Sequence, residues 1–206
     1  GPLQIQSVDG AAFGLTLKSG SATTTVNGNL TNVGTLNLTQ NLAGGDYTFG
    51  GTVGIATLST AAQGYSIAFQ GGGTITGAVT FSNTGGLTLG NDTSDNILFN
   101  GGVDTGTNAV STAGWVRTSN DPMTLGNVFL TADTNVSAGS GTTQIQSVAG
   151  GGNDLAFFSS GTTTVTGNLM GVALLVLLDG GYTFGGTVGI TTLSTAAAAY
   201  SIAFQG

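Results

Sequence analysis

Nine carboxylates, every one an Asp, and two cations, Lys18 and Arg117, are the only charged side chains in a chain of 206 residues that has no His, no Cys and no Glu. Without imidazole or thiolate there is no Ser-His-Asp or Cys-His nucleophile, no His/Cys zinc site and no disulfide framework. The densest group of oxygen ligands is Asn91-Asp92-Thr93-Ser94-Asp95-Asn96. Asp92 and Asp95 could hold a hard cation such as calcium if backbone carbonyls joined them; otherwise the chain is expected to carry no cofactor. Their spacing is not that of an EF-hand, and Asx and Ser side chains build ordinary turns by bonding their own backbone. Gly150-Gly151-Gly152-Asn153-Asp154 lacks the spacing and recurrence of the glycine-rich calcium nonapeptide.

The second chemical candidate is the polar stretch 114–122, which holds Trp115, Arg117 and Asp121, with the only Trp and the only Arg of the chain. An indole beside polar groups can grip a sugar ring, and Trp and Arg are enriched at binding hot spots. The plainer reading has Trp115 covering the core and Arg117 neutralising Asp121. Polysaccharide cleavage needs two carboxylates flanking the glycosidic bond, or a carboxylate beside a base. Here the Asp residues are scattered and no such pair adjoins Lys18 or Arg117, so the chain reads as non-enzymatic.

A net charge of −7 disfavours nucleic acid and anionic lipid as partners. With 39% hydrophobic and 5% charged residues, the chain lies outside the disordered regime and can bury a core. Its longest apolar run, 172–178, is far shorter than the roughly 18 to 20 residues of a spanning helix, which argues against membrane insertion. Gly1 and Pro2 have the look of a tag-cleavage scar and are left out of the fold. The absence of Cys fits an exported bacterial surface protein.

The elements that must carry these residues are written twice. Gln4-Ile5-Gln6-Ser7-Val8 returns as Gln144-Ile145-Gln146-Ser147-Val148, and Thr23-Thr24-Thr25-Val26 as Thr162-Thr163-Thr164-Val165. Residues 47–55 return unchanged at 182–190, and residues 65–71 at 200–206. The chain thus divides into a long unit, 3–143, and a partial second unit, 144–206, within one continuous stretch, 3–206. The offset shrinks from 140 to 135 at Gly-rich or polar turns, while the segments between turns keep their length. That pattern suits strands, because a strand in a ladder cannot lose one residue without flipping every side chain to its other face.

Between the turns the chain alternates. Leu15-Thr16-Leu17, Leu36-Asn37-Leu38, Tyr47-Thr48-Phe49, residues 75–81, Leu87-Thr88-Leu89 and Ile97-Leu98-Phe99 predict short strands of three to six residues, and no window shows helical spacing. The near absence of charge and of Pro favours a stacked solenoid over a hairpin sandwich, because coils that put Thr on Thr and Asn on Asn need no ionic surface. The sequence therefore predicts an all-β fold, a parallel β-helix forming a single elongated rod. Coils of about 20 residues give about ten turns at roughly 4.8 Å each. Equivalent positions of the two units are expected to lie over one another along the shared axis.

The strings Leu87-Thr88-Leu89-Gly90, Ile97-Leu98-Phe99-Asn100-Gly101-Gly102, Thr124-Leu125-Gly126 and Leu130-Thr131-Ala132-Asp133-Thr134 resemble the β-strand repeats of filamentous haemagglutinin-like adhesins and autotransporter passenger regions. The resemblance implies a right-handed β-helix on the bacterial surface or outside the cell, acting as stalk, filament or adhesin, and it brings no catalytic residues. One departure stands out. Where the first unit reads Thr35-Leu36-Asn37-Leu38-Thr39, the second reads Leu174-Leu175-Val176-Leu177-Leu178, so Leu174, Val176 and Leu178 turn apolar at positions meant for solvent. Such a strip is an interface candidate, the other readings being cover by a shielding loop or an irregular stretch of sequence. The expected partners are other copies or neighbouring repeat units, glycans, or a host or neighbouring cell surface. A self-assembling extracellular sheath or matrix filament is the alternative. Ice binding would need a regular Thr array, and the Thr clusters do not recur at one fixed coil length.

Overall fold

The computed structural model describes residues 1–40, 44–196 and 200–206. It contains twenty-two strands and, among the described residues, no helix. Every strand pairing is parallel. Partners lie one coil apart: Leu3 pairs with Thr24, Thr24 with Tyr47, Tyr47 with Ile67, and Ile67 with Leu87. The chain is a parallel β-solenoid of about ten coils, each contributing strand to three faces. The first face runs through residues 3–5, 24–26, 47–49, 67–69 and 87–89, and the second through 8–9, 30–33, 53–55, 73–75 and 97–99. The third runs through 15–17, 36–38 and 58–60, then through 79–80, 103–104 and 123–125.

Alternation decides what points inward. In Tyr47–Phe49, Ile67–Phe69 and Leu87–Leu89 the outer two residues are buried and the middle one faces out. The inward residues form columns, so that Phe49 stacks on Phe69 at 5.2 Å and 14°, and Phe81 meets Phe99 edge-on at 6.0 Å. Aromatic pairs of this kind add to the transfer free energy of burial, which is about 25 cal/mol per Å² of apolar surface. The outward residues form rows. Thr25, Thr48, Thr88 and Ser111 fall in one row, broken only by Ala68, although their spacing along the chain varies. The sequence reading missed this row because corners of unequal length absorb the variation.

Two of the strand expectations need correction. Several strands are longer than six residues: Leu30–Gln40, Ala109–Thr118 and Met123–Ser137 continue around a corner instead of ending at it. Register shifts within them, at Leu30/Val33 and Thr112/Gly114, make the bend. Conversely, residues 75–81 are not one strand, because Gly73–Ile75 belongs to the second face and Val79–Thr80 to the third.

The larger correction concerns the repeat. Thr24–Val26 lies on the first face, whereas its duplicate at 163–165 pairs with 143–145 and 182–184, on the third. Leu30 lies on the second face and its duplicate Leu169 on the first; residues 36–38 lie on the third face and their duplicates 175–177 on the second. The two units share an axis, but equivalent residues do not lie over one another. The long unit spans twenty strand positions, and three positions make one coil, so each copy advances six and two-thirds coils and turns by a third of a revolution.

Candidate functional site

Corners set the stage for the side chains. At the corner after the third face, the Tyr47 hydroxyl accepts from Ser19 N–H at 2.7 Å, and its single O–H is shared between the Leu17 and Thr39 carbonyls. One coil on, the Tyr65 hydroxyl accepts from Ala61 N–H at 2.7 Å and donates to Leu38 O at 2.8 Å. The two rings meet edge-on at 5.3 Å. Burial pushes the Tyr65 phenol above its ordinary pKa. In the second unit Tyr182 and Tyr200 repeat this pair, edge-on at 5.9 Å, at the corner before the third face. Burial likewise raises the Tyr182 phenol.

Trp115 and Arg117 are outward-facing, half-buried residues of strand Ala109–Thr118, on the second face. Trp115 does not cover the core as the plain reading had it; the core positions beside it are Ala113 and Val116, both fully buried. Nor does Arg117 pair with Asp121. Its Nε donates to Asn96 Oδ1 at 3.0 Å, and its guanidinium carbon sits 5.8 Å from the Trp115 ring centroid. Beside them lies a shallow groove whose lining includes Thr74, Ser94, Asn96, Leu98 and Arg117. The strand bends onto the second face at Gly114, whose φ of +70° and close approach exclude a side chain: a Cβ there would stand 2.3 Å from Asp95 O. That same carbonyl accepts Trp115 N–H at 2.8 Å.

Asp92 and Asp95 thus border the second face, at the turn that leads into strand Asn96–Phe99. Both carboxylates are turned back into their own loop. Asp92 Oδ1 accepts the N–H and the hydroxyl of Ser94, each at 2.9 Å, and these bonds hold its carboxyl below the usual pKa. Asp95 Oδ2 accepts the N–H groups of Asn91 at 2.8 Å and Asp92 at 3.0 Å. Among the described residues no three acidic side chains converge on a common point. The geometry is that of an Asx-stabilised turn, and it holds the ledge on which Trp115 and Arg117 stand.

Leu174, Val176 and Leu178 are outward-facing and half-buried, and the third-of-a-turn rotation puts them on the second face as well. Val176 lies beside Ala156, which lies beside Asn135, which lies beside Trp115. The row of Arg117 runs through Ser137 to Phe158 and on to Leu178, one step beyond the register Val136 to Phe157 to Leu177. The structure therefore joins two candidates that the sequence kept apart. The link is Phe158, which the sequence reading missed: it is 36% exposed and its ring stands 4.8 Å from that of Trp115, tilted by 38°. Its signal was the doublet Phe157-Phe158, since in an alternating strand only one of two adjacent rings can face the core. Above Leu174 the row is acidic: Asp154 Oδ1 accepts Leu174 N–H at 3.0 Å, and Asp133 Oδ1 accepts Asp154 N–H at 2.9 Å.

The result is an uncharged ledge from Trp115 through Phe158 and Ala156 to Leu174, Val176 and Leu178. It has an Arg–Asn pair at one end and carboxylates along one side. Its surfaces are suited to packing against an apolar or ring-shaped partner, and no nucleophile, paired acid or base stands on it. No family model, curated protein or solved structure matches the chain.

Proposed function

We propose that the chain is a non-enzymatic structural and adhesive module of a bacterial cell-surface or secreted fibrous protein, a stiff stalk that carries a contact ledge on its side. The observation that carries this reading is the ledge itself: Trp115 and Phe158 in ring contact, with Ala156, Leu174, Val176 and Leu178 following on the same second face of a continuous solenoid, and Asn135 and Ser137 between the two rings' coils. A surface of Thr, Asn and Ser rows has no need of such a strip for solubility, and large exposed apolar patches mark contact sites. The partner class the ledge suits is a glycan or another cell's surface, gripped by the Trp115 and Phe158 rings with Arg117 at the margin. The outward acids serve turns and ladders, which suits support better than hydrolysis.

Binding of the purified chain to a glycan array and to whole cells tests the proposal. Phe158→Ala and Val176→Lys both change outward positions, so the fold is kept and binding is expected to drop at least tenfold. Release of reducing sugar from a polysaccharide, or binding untouched by both substitutions, would overturn it.

A further inference from the structure

On the other side of Arg117 from the ledge, the second face is hollow. Gly54 pairs with Thr74, Thr74 with Leu98 and Leu98 with Arg117, so these four residues form one outward row on consecutive coils. Two grooves lie on this row and share Thr74. One, of about 300 Å³, is lined by Asn32, Val33, Gly54, Ile55, Thr74 and Thr76; the other, of about 320 Å³, is the groove that ends at Arg117. Joined, they make a trough along the rod axis from the coil of Asn32 to that of Arg117, ~19 Å long at roughly 4.8 Å per coil. Gly54 gives the trough its floor, and the backbone does not require glycine there. It lies inside strand Val53–Thr60, outside the left-handed region, and although it faces the register shift at Leu30/Val33, a Cβ would meet nothing closer than 3.7 Å. Glycine weakens a strand, and one that the fold does not demand marks a place where another molecule comes close.

The lining names the ligand. Hydroxyls and amides of Asn32, Thr74, Thr76, Ser94 and Asn96 stand around apolar patches at Ile55 and Leu98. That mixture suits a pyranose ring, which is polar at its rim and apolar on its faces. The chain holds nine Asp and two cations, yet among the described residues no carboxylate lines either groove and one of the two cations does. In the bordering turns, Asp9, Asp92 and Asp95 are engaged by N–H groups of their own loops. Arg117 uses only Nε within the chain, on Asn96, and among the described residues the other four of its five N–H donors have no partner. A guanidinium presents such donors as a planar fork that matches a carboxylate.

We infer that the trough binds a linear polysaccharide whose rings carry carboxylates, laid along the rod axis with one carboxylate on Arg117 and the rings passing over Gly54. An extended chain of this kind advances about one ring per coil, so about five rings fill the trough. The trough meets the ledge only at Arg117, and it holds whether or not the ledge is adhesive.

Titration calorimetry of the full chain with galacturonate oligomers of increasing length, beside neutral and sulfated galactose oligomers of the same lengths, tests the inference. The galacturonate series is expected to bind more tightly with each ring up to about five and no further, and the neutral series at least tenfold more weakly. Arg117→Gln is expected to erase the preference for galacturonate. Gly54→Leu, with its strand circular-dichroism spectrum unchanged, is expected to weaken the long oligomers at least tenfold and leave the dimer as it was. Phe158→Ala, on the ledge and outside the trough, is expected to change neither. If Phe158→Ala abolishes binding and Gly54→Leu does not, the sugar sits on the ledge, and the trough falls while the adhesive reading stands. No binding of galacturonate, equal binding of the neutral series, or affinity independent of length also overturns the inference. Sulfated oligomers that bind as tightly as galacturonate overturn the assignment to carboxylate.

Discussion

Replacing Tyr47 with Phe removes one oxygen from the most closely tied corner of the solenoid. The Tyr47 side chain is 1% exposed, and so is Ser19, whose N–H donates to the Tyr47 hydroxyl at 2.7 Å. After Tyr47→Phe that N–H is buried without an acceptor, and the Leu17 carbonyl, at 2.9 Å, loses its donor. An orphaned buried backbone donor costs about 1–3 kcal/mol, so the expected loss is about 2 kcal/mol. Because a solenoid's stability is a sum of coils and their interfaces, the loss is local, and hydrogen exchange reads it better than a global melt. At about 1.4 kcal/mol per factor of ten, Ser19 and its neighbours in strand Gly14–Ser19 should exchange about 30-fold faster. Amides around residue 145, six coils away, should not change. Tyr200→Phe is the comparison: among the described residues that hydroxyl donates to Ala196 O at 3.1 Å and accepts from no N–H, so a smaller effect is expected there. An exchange rate at Ser19 within threefold of wild type would refute the reasoning.

The remaining expectations concern glycine and pH. Gly73→Ala should destabilise strongly, by about 3 kcal/mol or more in a denaturant titration, because φ is +127° and a Cβ would stand 2.1 Å from Val53 O. Gly64→Ala, with open space around the added methyl, should be neutral or raise stability by up to about 1 kcal/mol. For pH, the phenols of Tyr65 and Tyr182 are raised by burial, so above the ordinary value of 10.0 the unfolded chain loses protons that the folded one keeps. Their contribution is complete below that value and is lost as pH rises through the folded pKa. Urea midpoints measured between pH 9 and pH 11 should therefore fall, and Tyr65→Phe should flatten the fall.

The strand content and the stacking were legible in the sequence because period-two alternation and low charge are both local signals. Leu36-Asn37-Leu38 and Leu87-Thr88-Leu89 show their inward faces on inspection, and the structure places both as read. The position of Leu174, Val176 and Leu178 on an outward face was legible for the same reason. What the sequence hid was the phase between coils. Offsets between partners range from 18 residues, at Ala109 and Asn127, to 24, at Gly73 and Ile97, and the corners that absorb the difference leave no periodic mark. Hence the hydroxyl row from Thr25 to Ser111 was invisible, as was the bond that takes Arg117 to Asn96 instead of Asp121.

The rotation of the repeat gives that phase a functional consequence. Had the long unit spanned seven whole coils, residues 174–178 would sit on the third face with their counterparts 35–39, in line with the polar row of Thr124, Gln144 and Thr164. An apolar strip there would have polar neighbours on both sides. Because the unit spans six and two-thirds coils, the strip comes instead to the second face, two coils beyond Ser137 and directly below Ala156 and Phe158. The substitutions that made positions 174, 176 and 178 apolar therefore extend a surface begun by Trp115. The same rotation explains why inward positions hold interchangeable residues. A strand such as Tyr-Thr-Phe serves on the first face at 47–49 and on the third at 182–184, so its side chains must fit either column. Leu, Ile, Val and Phe fit both because the columns are lined by the same classes of residue, and only the tyrosine hydroxyl demands a particular corner. In the second unit that corner lies before the third face, where the Tyr182 hydroxyl meets the Asp179 carbonyl.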